Sequence, residues 1–382
     1  MSELTGIIKK TNAFYCLECG KCTASCPIAL INDSYSPRTM VAHSLQRSKD
    51  EVLQDPMLWA CLTCKNCEAG CPADVDYLGL TLDLRTQALE YGQQGICTHG
   101  GALQSLMRIM ITPDLKQKRL EWVNGDLKIA EEGEVLYFVG CAPYFDVFFS
   151  DLEVKTLDAA KSVIKFLNAV GIEPVLMPNE RCCGHDLLWS GDKENFLKLA
   201  EHNLEAIKKT GAKQVVFSCP ECYRTIKEDY AAQFGSLGFE TLHISEMIAD
   251  KIKSGVILFP TDSREEKVTF QDPCRLGRHL RVYEAPRKVM ASVPGVELNE
   301  IKKSGKKAIC CGVSNWMNCT TYSKQIQVER LRQAKATGAN TLVTACPKCE
   351  IHFRCAMKDL NLGDEIKMEI TDVATLAADA LA

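Results

Sequence analysis

The sequence predicts a multidomain α + α/β protein, a helical N-terminal module followed by two copies of a cysteine-rich α/β domain. Three observations lead there. Eight cysteines fall in two matched groups between Cys16 and Cys71. Two further sets of five recur in one order beyond residue 134. Short apolar runs, read as buried strands, lead into the later cysteines and alternate with amphipathic segments of helical period. The expected boundaries are 1–100 for the helical module, 101–133 for a helical linker, 134–265 for the first α/β domain and 266–382 for the second.

The N-terminal module rests on "CLECGKCTASCP" and "CLTCKNCEAGCP". Both match the C-x2-C-x2-C-x3-C-P spacing of ferredoxins with two four-iron clusters, in which the proline turns the chain and sends the fourth thiolate to the neighbouring cluster. That assigns Cys16, Cys19, Cys22 and Cys71 to one cubane 4Fe-4S cluster and Cys61, Cys64, Cys67 and Cys26 to the other. A zinc knuckle pair explains neither the prolines nor the doubled motif. Between the motifs, Ser36 and Pro37 form a helix start, because serine accepts an orphan amide and proline lacks one. Met40, Val41, Leu45, Val52 and Leu53 continue it at helical intervals, and "VDYLGLTLDLRTQALEYG" forms a second helix. Residues from about 100 to 130, with "LMRIMITPDLKQKRLEWV", are a further helix and linker without a chemical motif.

The α/β region begins at "EVLYFVGC", which ends on Cys141. "EPVLMPNERCC" ends on Cys182 and Cys183, and "KQVVFSCPEC" on Cys219 and Cys222. The second half repeats the order with "KVTFQDPC" to Cys274, "KKAICC" to Cys310 and Cys311, and "NTLVTACPKC" to Cys346 and Cys349. Cys182 and Cys310 lie 128 positions apart, Cys219 and Cys346 lie 127 apart, and the same spacing pairs His243 with Ile370. "ENFLKLAEHNLEAIKKTGA" and "YSKQIQVERLRQAKATGA" read as matched helices, so each half is a covered, mostly parallel sheet. The C-terminal ends of such strands open into a crevice, where distant cysteines can gather around one centre. Five thiolates exceed the needs of a four-coordinate zinc and suit iron–sulfur chemistry. Adjacent cysteines that bind different irons need no disulfide between them.

Composition narrows the function classes. The chain has 382 residues, 46% hydrophobic, enough for sizeable cores, and its net charge of -4 gives no general reason to expect nucleic acid as a partner. Its 21 cysteines, without an apolar export segment at "MSELTGIIKKTNAFYC", suit thiolates kept for metals in a reducing cytoplasm. No apolar stretch near 18 residues appears, so the expected membrane contact is peripheral, at the inner face and through a partner protein.

With these residues in place, the chain resembles the D-type catalytic iron–sulfur component of heterodisulfide reductase, or the fused C-type and B-type components, from methanogenic archaea. The likeness spans residues 1–80 and both cysteine repeats. It implies that Cys141, Cys182, Cys183, Cys219 and Cys222 hold one noncubane 4Fe-4S cluster, and Cys274, Cys310, Cys311, Cys346 and Cys349 a second. It further implies that the two face one another and split a disulfide between them, which for the enzyme of methanogenesis is the mixed disulfide of coenzyme M and coenzyme B. A larger complex follows from it, with a flavoprotein or a haem-bearing membrane subunit as redox partner. The expected catalytic residues are these ten cysteines with His185, which follows the first CCG and can donate a proton or hydrogen bond to a developing thiolate, or tether the loop; the second repeat has Val313 there.

Other residues carry weaker readings. Arg275, Arg278, His279 and Arg281 in "CRLGRHLRVY" form either a substrate-attracting group or a basic patch that is partner-facing or solvated. Asn315, Trp316 and Asn318 follow the second CCG as cofactor neighbours or as capping and core residues. His352 could tune a cluster, and Cys97, Cys319 and Cys355 stand outside both motif sets. The competing function is that of an iron–sulfur electron-transfer subunit in a respiratory, electron-bifurcating or hydroxyacid dehydrogenase complex. No glycine fingerprint for a flavin appears, so hydride chemistry belongs to another chain.

Overall fold

The structure, a computed structural model, describes residues 4–260 and 265–381. Its contacts divide the chain into two units: Met1–Ile111 with Gly184–Lys198 and Gly312–Gln327, and Thr112–Cys183 with Leu199–Cys311 and Val328–Ala382. The chain passes from the second unit to the first directly after each adjacent cysteine pair. The CCG glycines therefore start the two inserted segments.

Helices dominate the first unit. Ser36 accepts from the Thr39 amide at 3.0 Å and Pro37 opens helix Pro37–Gln46, whose Met40 and Val41 are buried. The helical run expected to continue to Leu53 instead breaks after Arg47. Ser48 starts a new helix, Lys49–Leu53, through a reciprocal capping box with Glu51. Asp76 caps helix Tyr77–Glu90, from which Arg85 projects inward. Arg85 is 1% exposed and donates to the carbonyls of Leu58, Cys61 and Trp189, so one side chain ties the second cysteine loop to an inserted segment. The expected linker contains one helix, Ala102–Ile109; Pro113 and the turns after it prevent a longer one.

Both inserted segments are locked by their glycines. Gly184 has φ +81°, and a Cβ there would meet Phe196 Cδ2 at 2.8 Å; Gly312 has φ +98°, with the Ser323 carbonyl oxygen at 2.8 Å. Only glycine fits at Gly312, since the obstacle is backbone and the φ is strained for any L side chain. Gly312→Ala is expected to destabilise the protein by about 2 kcal/mol or more, read as a lower denaturant midpoint; an unchanged midpoint would mean that this turn relaxes freely.

The second unit contains two parallel sheets. In the first, strands β1 (Val135–Phe138), β2 (Gln214–Phe217) and β3 (Glu240–His243) run in the order β1-β2-β3. The other contains β4 (Glu266–Phe270), β5 (Val296–Leu298), β6 (Thr341–Thr344) and β7 (Glu369–Asp372) in the order β5-β4-β6-β7. Helices including Thr156–Ala169, Ile244–Lys253, Glu284–Ser292 and Val373–Asp379 connect and cover them. Burial on both faces explains the mainly apolar runs of β1, β2 and β6.

Two sequence readings need correction. "EPVLMPNERCC" is not a strand: Val175 alone bridges Leu136 and Ala130, because Pro174 and Pro178 on either side lack amides for a ladder. In the second half the matching strand is β5, and the residues before Cys310 form a 3-10 turn, Gly305–Lys307, and irregular chain. The pairing of His243 with Ile370 also slips by two. Phe217 faces His243 and Thr344 faces Asp372 across equivalent strands, so Asp372 is the structural counterpart.

His243 and Asp372 each cap the helix after their strand, accepting from the amides of Ser245 and Ala374. With Nδ1 an acceptor, His243 Nε2 carries the proton toward the Ser218 carbonyl, 3.2 Å away. Burial lowers its pKa to about 4, whereas burial raises that of Asp372 to about 7. The histidine contribution to stability is therefore complete above its unfolded value near 6.5 and lost as pH falls toward 4, about 3 kcal/mol in all. The Asp372 contribution has the opposite sign and is lost as pH rises from about 4 through 7. His243→Gln should remove the acid-side loss and leave a stability that only falls with rising pH over this window, measured by denaturation at fixed pH steps. A profile identical to that of the parent protein would discount the histidine.

Candidate iron–sulfur sites

The two N-terminal motifs are tight loops whose backbone curls through the left-handed region at Glu18, Thr63 and Lys65. Such turns let three cysteines point to one centre. Cys26, Cys61, Cys64 and Cys67 line a single cavity, with Tyr35 and Tyr77 alongside. Burial first, then the neighbouring thiols, push Cys67 well above its usual range, and Cys26 is raised by burial and by Cys64 and Cys61. The Thr63 amide donates to Cys61 Sγ at 3.3 Å. Sulfur is thus crowded where water is excluded, an unfavourable state for free thiolates and the expected one for cluster ligands. Cys22 is raised by burial, with Cys16 adding to it, while Cys19 is exposed and Cys16 and Cys71 are half-buried.

The later cysteines lie at strand ends. Cys141 follows β1, Cys219 follows β2, Cys274 follows β4 and Cys346 follows β6. Cys219 and Cys346 are also the N-cap residues of helices Pro220–Arg224 and Pro347–Met357, with proline in the first turn. Helix starts present amides and a partial positive charge, which favour thiolate. In the first half, Cys183 bonds to Cys182 and Cys222, and Cys222 to Cys219. A Cβ on Gly140, the residue before Cys141, would lie 3.0 Å from the Cys222 sulfur. In the second half the chain of contacts runs Cys274–Cys310–Cys311–Cys349–Cys346. Hydrogen bonds from Cys310 and Cys349 hold Cys311 down at about 6, and Cys349, which donates to Cys311 and Cys346, is pushed well up.

Contacts also join the halves. The bond from Cys349 pulls the Cys346 pKa down, but burial and the proximity of Cys219 and Glu221 raise it overall. Glu221 and Lys348, the variable residues of the two C-P-x-C turns, form an ion pair at 2.6 Å. Both sets thus belong to one unit, with their C-P-x-C turns adjacent.

Several supporting residues had no signal in the sequence. Arg119, from the supposed linker, is 4% exposed and donates to Glu180 Oε1 at 2.5 Å, to the Glu180 carbonyl at 2.9 Å and to the Gly140 carbonyl at 2.7 Å. Glu180 in turn accepts from the Val139 and Gly140 amides. This clamp joins the loop before Cys141 to the loop before Cys182. Burial pushes Glu180 up to about 7, against the pull of Arg119 and those amides. Asn203 donates to the Cys182 carbonyl and Tyr230 to the Cys183 carbonyl. Their helical position, facing the loops from Lys193–Lys209 and Thr225–Tyr230, is decided by packing.

The residues with weaker readings separate clearly. Arg275, Arg278 and His279 are buried, so the solvated-patch reading fails for them; Arg281 alone of the four is exposed. His352 Nδ1 lies 3.2 Å from Cys311 Sγ, closer to the thiols than its sequence position suggests. His185 falls in the first unit, buried, with Nδ1 2.8 Å from Asp186 Oδ1. Asn315 and Trp316 are buried there too; the Trp316 carbonyl accepts from Gln104 at 2.9 Å, and Asn318 pairs with the backbone of Ile96. Cys97 bridges to Met317, Cys319 is exposed and Cys355 is half-buried.

Sulfur-only donor sets of this density fit iron–sulfur clusters. Comparison with known proteins agrees. Residues 12–75 match the family model of a 4Fe-4S dicluster domain, and residues 135–227 and 268–354 each match that of a cysteine-rich domain. The chain is 31% identical to the D-type component of the dihydromethanophenazine:CoB–CoM heterodisulfide reductase of Methanosarcina acetivorans, over 96% of this chain and 93% of that one. Identity to the corresponding component from Methanosarcina mazei is 30% over the same shares. The probable iron-sulfur-binding oxidoreductase FadF of Bacillus subtilis is 28% identical over 86% of this chain and 48% of its own length. Among the described residues, no helix is long and apolar enough to cross a membrane.

Proposed function

The chain belongs to the family of the D-type heterodisulfide reductase component, and from that premise we propose that it reduces a mixed disulfide, coenzyme M–coenzyme B or a close relative, to two thiols. It is an iron–sulfur oxidoreductase subunit with cluster-binding domains. The observation that most supports disulfide cleavage is the adjacency of two five-cysteine sets within one unit, joined at Cys219, Cys346 and the Glu221–Lys348 pair.

In this reading Cys16, Cys19, Cys22 and Cys71 hold one cubane cluster, and Cys26, Cys61, Cys64 and Cys67 the other. Cys141, Cys182, Cys183, Cys219 and Cys222 hold one noncubane cluster, and Cys274, Cys310, Cys311, Cys346 and Cys349 the second. When bound, such clusters supply one-electron steps and iron sites with affinity for sulfur. The chain itself positions the thiolates, through the Arg119–Glu180 clamp in the first half and through His352 beside Cys311 in the second. His185, two residues beyond Cys183 in sequence, is proposed as a hydrogen-bond donor toward a developing thiolate. The overall reaction consumes one disulfide, two electrons and two protons and yields two thiols. The electrons come from a partner protein, for which a flavoprotein or a haem-bearing membrane subunit is proposed, and the N-terminal module relays them singly. The proposed domains are 1–100, 101–133, 134–265 and 266–382, the inserted segments being excursions of the last two.

The test is anaerobic reduction of the coenzyme M–coenzyme B disulfide by the iron-replete chain with an artificial electron donor. Two thiols per disulfide are expected, with about sixteen iron atoms per chain. Electron passage to acceptors without thiol release would instead favour the electron-transfer role, the reading to which the Bacillus relative lends weight.

A further inference from the structure

The second N-terminal motif closes on a cavity that holds two tyrosines besides its cysteines. Cys26, Cys61, Cys64, Cys67, Tyr35 and Tyr77 share the lining. Tyr35 and Tyr77 are 2% and 5% exposed, and their hydroxyls meet at 2.9 Å. Two helix starts put them there. Tyr35 immediately precedes Ser36, the cap of helix Pro37–Gln46, and Tyr77 is the first residue of helix Tyr77–Glu90, directly after its cap Asp76. Glu68, next to Cys67, accepts from the Leu78 amide at 2.8 Å and ties the cysteine loop to that second start.

One of these hydroxyls also reaches sulfur. Burial pushes the Cys61 thiol up and Cys64 adds to the rise, while Arg85, a hydrogen bond from the Thr63 amide and one from the Tyr35 hydroxyl pull it down. A bond that favours the charged form of a thiol is one donated to its sulfur. A phenol has a single proton to give. With that proton on Cys61, the Tyr35 oxygen accepts from Tyr77, so the chain runs from Tyr77 to Tyr35 to sulfur. Other polar side chains of the lining are engaged elsewhere. Thr63 Oγ1 bonds to Ser314 Oγ at 2.9 Å, Asn66 Nδ2 donates to the Ser25 carbonyl at 2.6 Å, and Lys65 lies 3.8 Å from Glu68.

Resting on the reading that Cys26, Cys61, Cys64 and Cys67 hold a cubane cluster, we propose that Tyr35 and Tyr77 raise its reduction potential, Tyr35 by donating to the Cys61 sulfur and Tyr77 by holding Tyr35 in that role. An added electron makes the ligand sulfur a stronger acceptor, so a donor on it stabilises the reduced state more than the oxidised one. Hydrogen bonds to the sulfurs are among the protein's levers on such potentials. Exclusion of water strengthens each bond, and successive hydroxyls polarise one another. Tyr35 is thus the donor, and Tyr77 is a positioning residue that acts through it.

The experiment is an anaerobic redox titration of the iron-replete full chain followed by electron paramagnetic resonance. Cys19→Ser and Cys64→Ser assign signals to the first and second cubane. Tyr35→Phe keeps the ring and removes the hydroxyl. It should lower the reduced-to-oxidised ratio of the second cubane at fixed potential by about fivefold, equivalent to about 41 mV for one electron, and leave the first-cubane signal in place. Tyr77→Phe should act in the same direction with a smaller shift. The double variant should match Tyr35→Phe alone, because Tyr77 acts through Tyr35. A higher ratio in Tyr77→Phe would mean that Tyr35 donates to Tyr77 in the parent protein, and overturns the inference. An unmoved or higher ratio in Tyr35→Phe overturns it as well, as does a double variant whose shift is the sum of the two. A variant that loses about four iron atoms assigns its tyrosine to folding, with the same consequence. A parent chain without iron at the second motif overturns the cluster reading and this inference with it, and iron analysis separates that failure from the others.

Discussion

Replacing Cys311 by serine is expected to lower disulfide cleavage by more than about 100-fold, since loss of a ligand should exceed the 10–100-fold cost of disturbing an outer partner. Cys311 is 6% exposed and lies at the middle of the second thiol chain, between Cys310 and Cys349, with the His352 imidazole 3.2 Å away. A serine hydroxyl is a harder and far less acidic donor, poorly suited to iron–sulfur chemistry. Iron should fall by about four atoms per chain, while the N-terminal module keeps its own clusters and still takes up electrons. Cys355→Ser is the control, because Cys355 sits on the same helix as Cys349, Pro347–Met357, outside the proposed ligand set. Anaerobic iron analysis and thiol release measure both outcomes. Full iron and full activity in the Cys311 variant would remove this residue from the site.

Arg119→Met should destabilise the second unit by about 3–5 kcal/mol, the typical cost of leaving one member of a buried ion pair behind. Both side chains of the Arg119–Glu180 pair are 1% exposed. Removal of the guanidinium also deprives the Gly140 and Glu180 carbonyls of their donor. Because Glu180 binds the amides of Val139 and Gly140, the damage should pass to Cys141 and Cys182 and appear as faster iron loss from the first set than from the second. Arg119→Met with Glu180→Gln should recover part of the stability, since the buried charge is then gone. Chemical denaturation and chelator-driven iron release report the two effects. A loss under about 1 kcal/mol would place the pair with ordinary surface bridges instead.

Ligand chemistry was legible because cysteine is a rare residue and cluster binding needs it at fixed steps. "CLECGKCTASCP" and its partner motif name the ligands proposed for them, and the repeat of C, CC and C-P-x-C names ten further candidates. Parallel sheets were legible as well, because strands buried on both faces become apolar runs. Strand detail was less so. Pro174 and Pro178 reduced one expected strand to a bridge at Val175, and the second half formed β5 well before Cys310 rather than beside it. The basic stretch after Cys274 misled for a related reason: charge suggests solvent, but long arginine side chains can be buried when carbonyls and amides receive them.

By itself, then, the sequence determined the iron–sulfur character of the chain and the domains that carry its cysteines, since those follow from residue identity and local spacing. The tertiary structure decided what surrounds them. Arg119 and Glu180 are 61 positions apart, Gln271 and Arg330 are 59 apart, and Glu221 and Lys348 are in different repeats. No periodicity predicts such partners. They meet because each polar group excluded from water must find another, and only the packed fold determines which one is within reach.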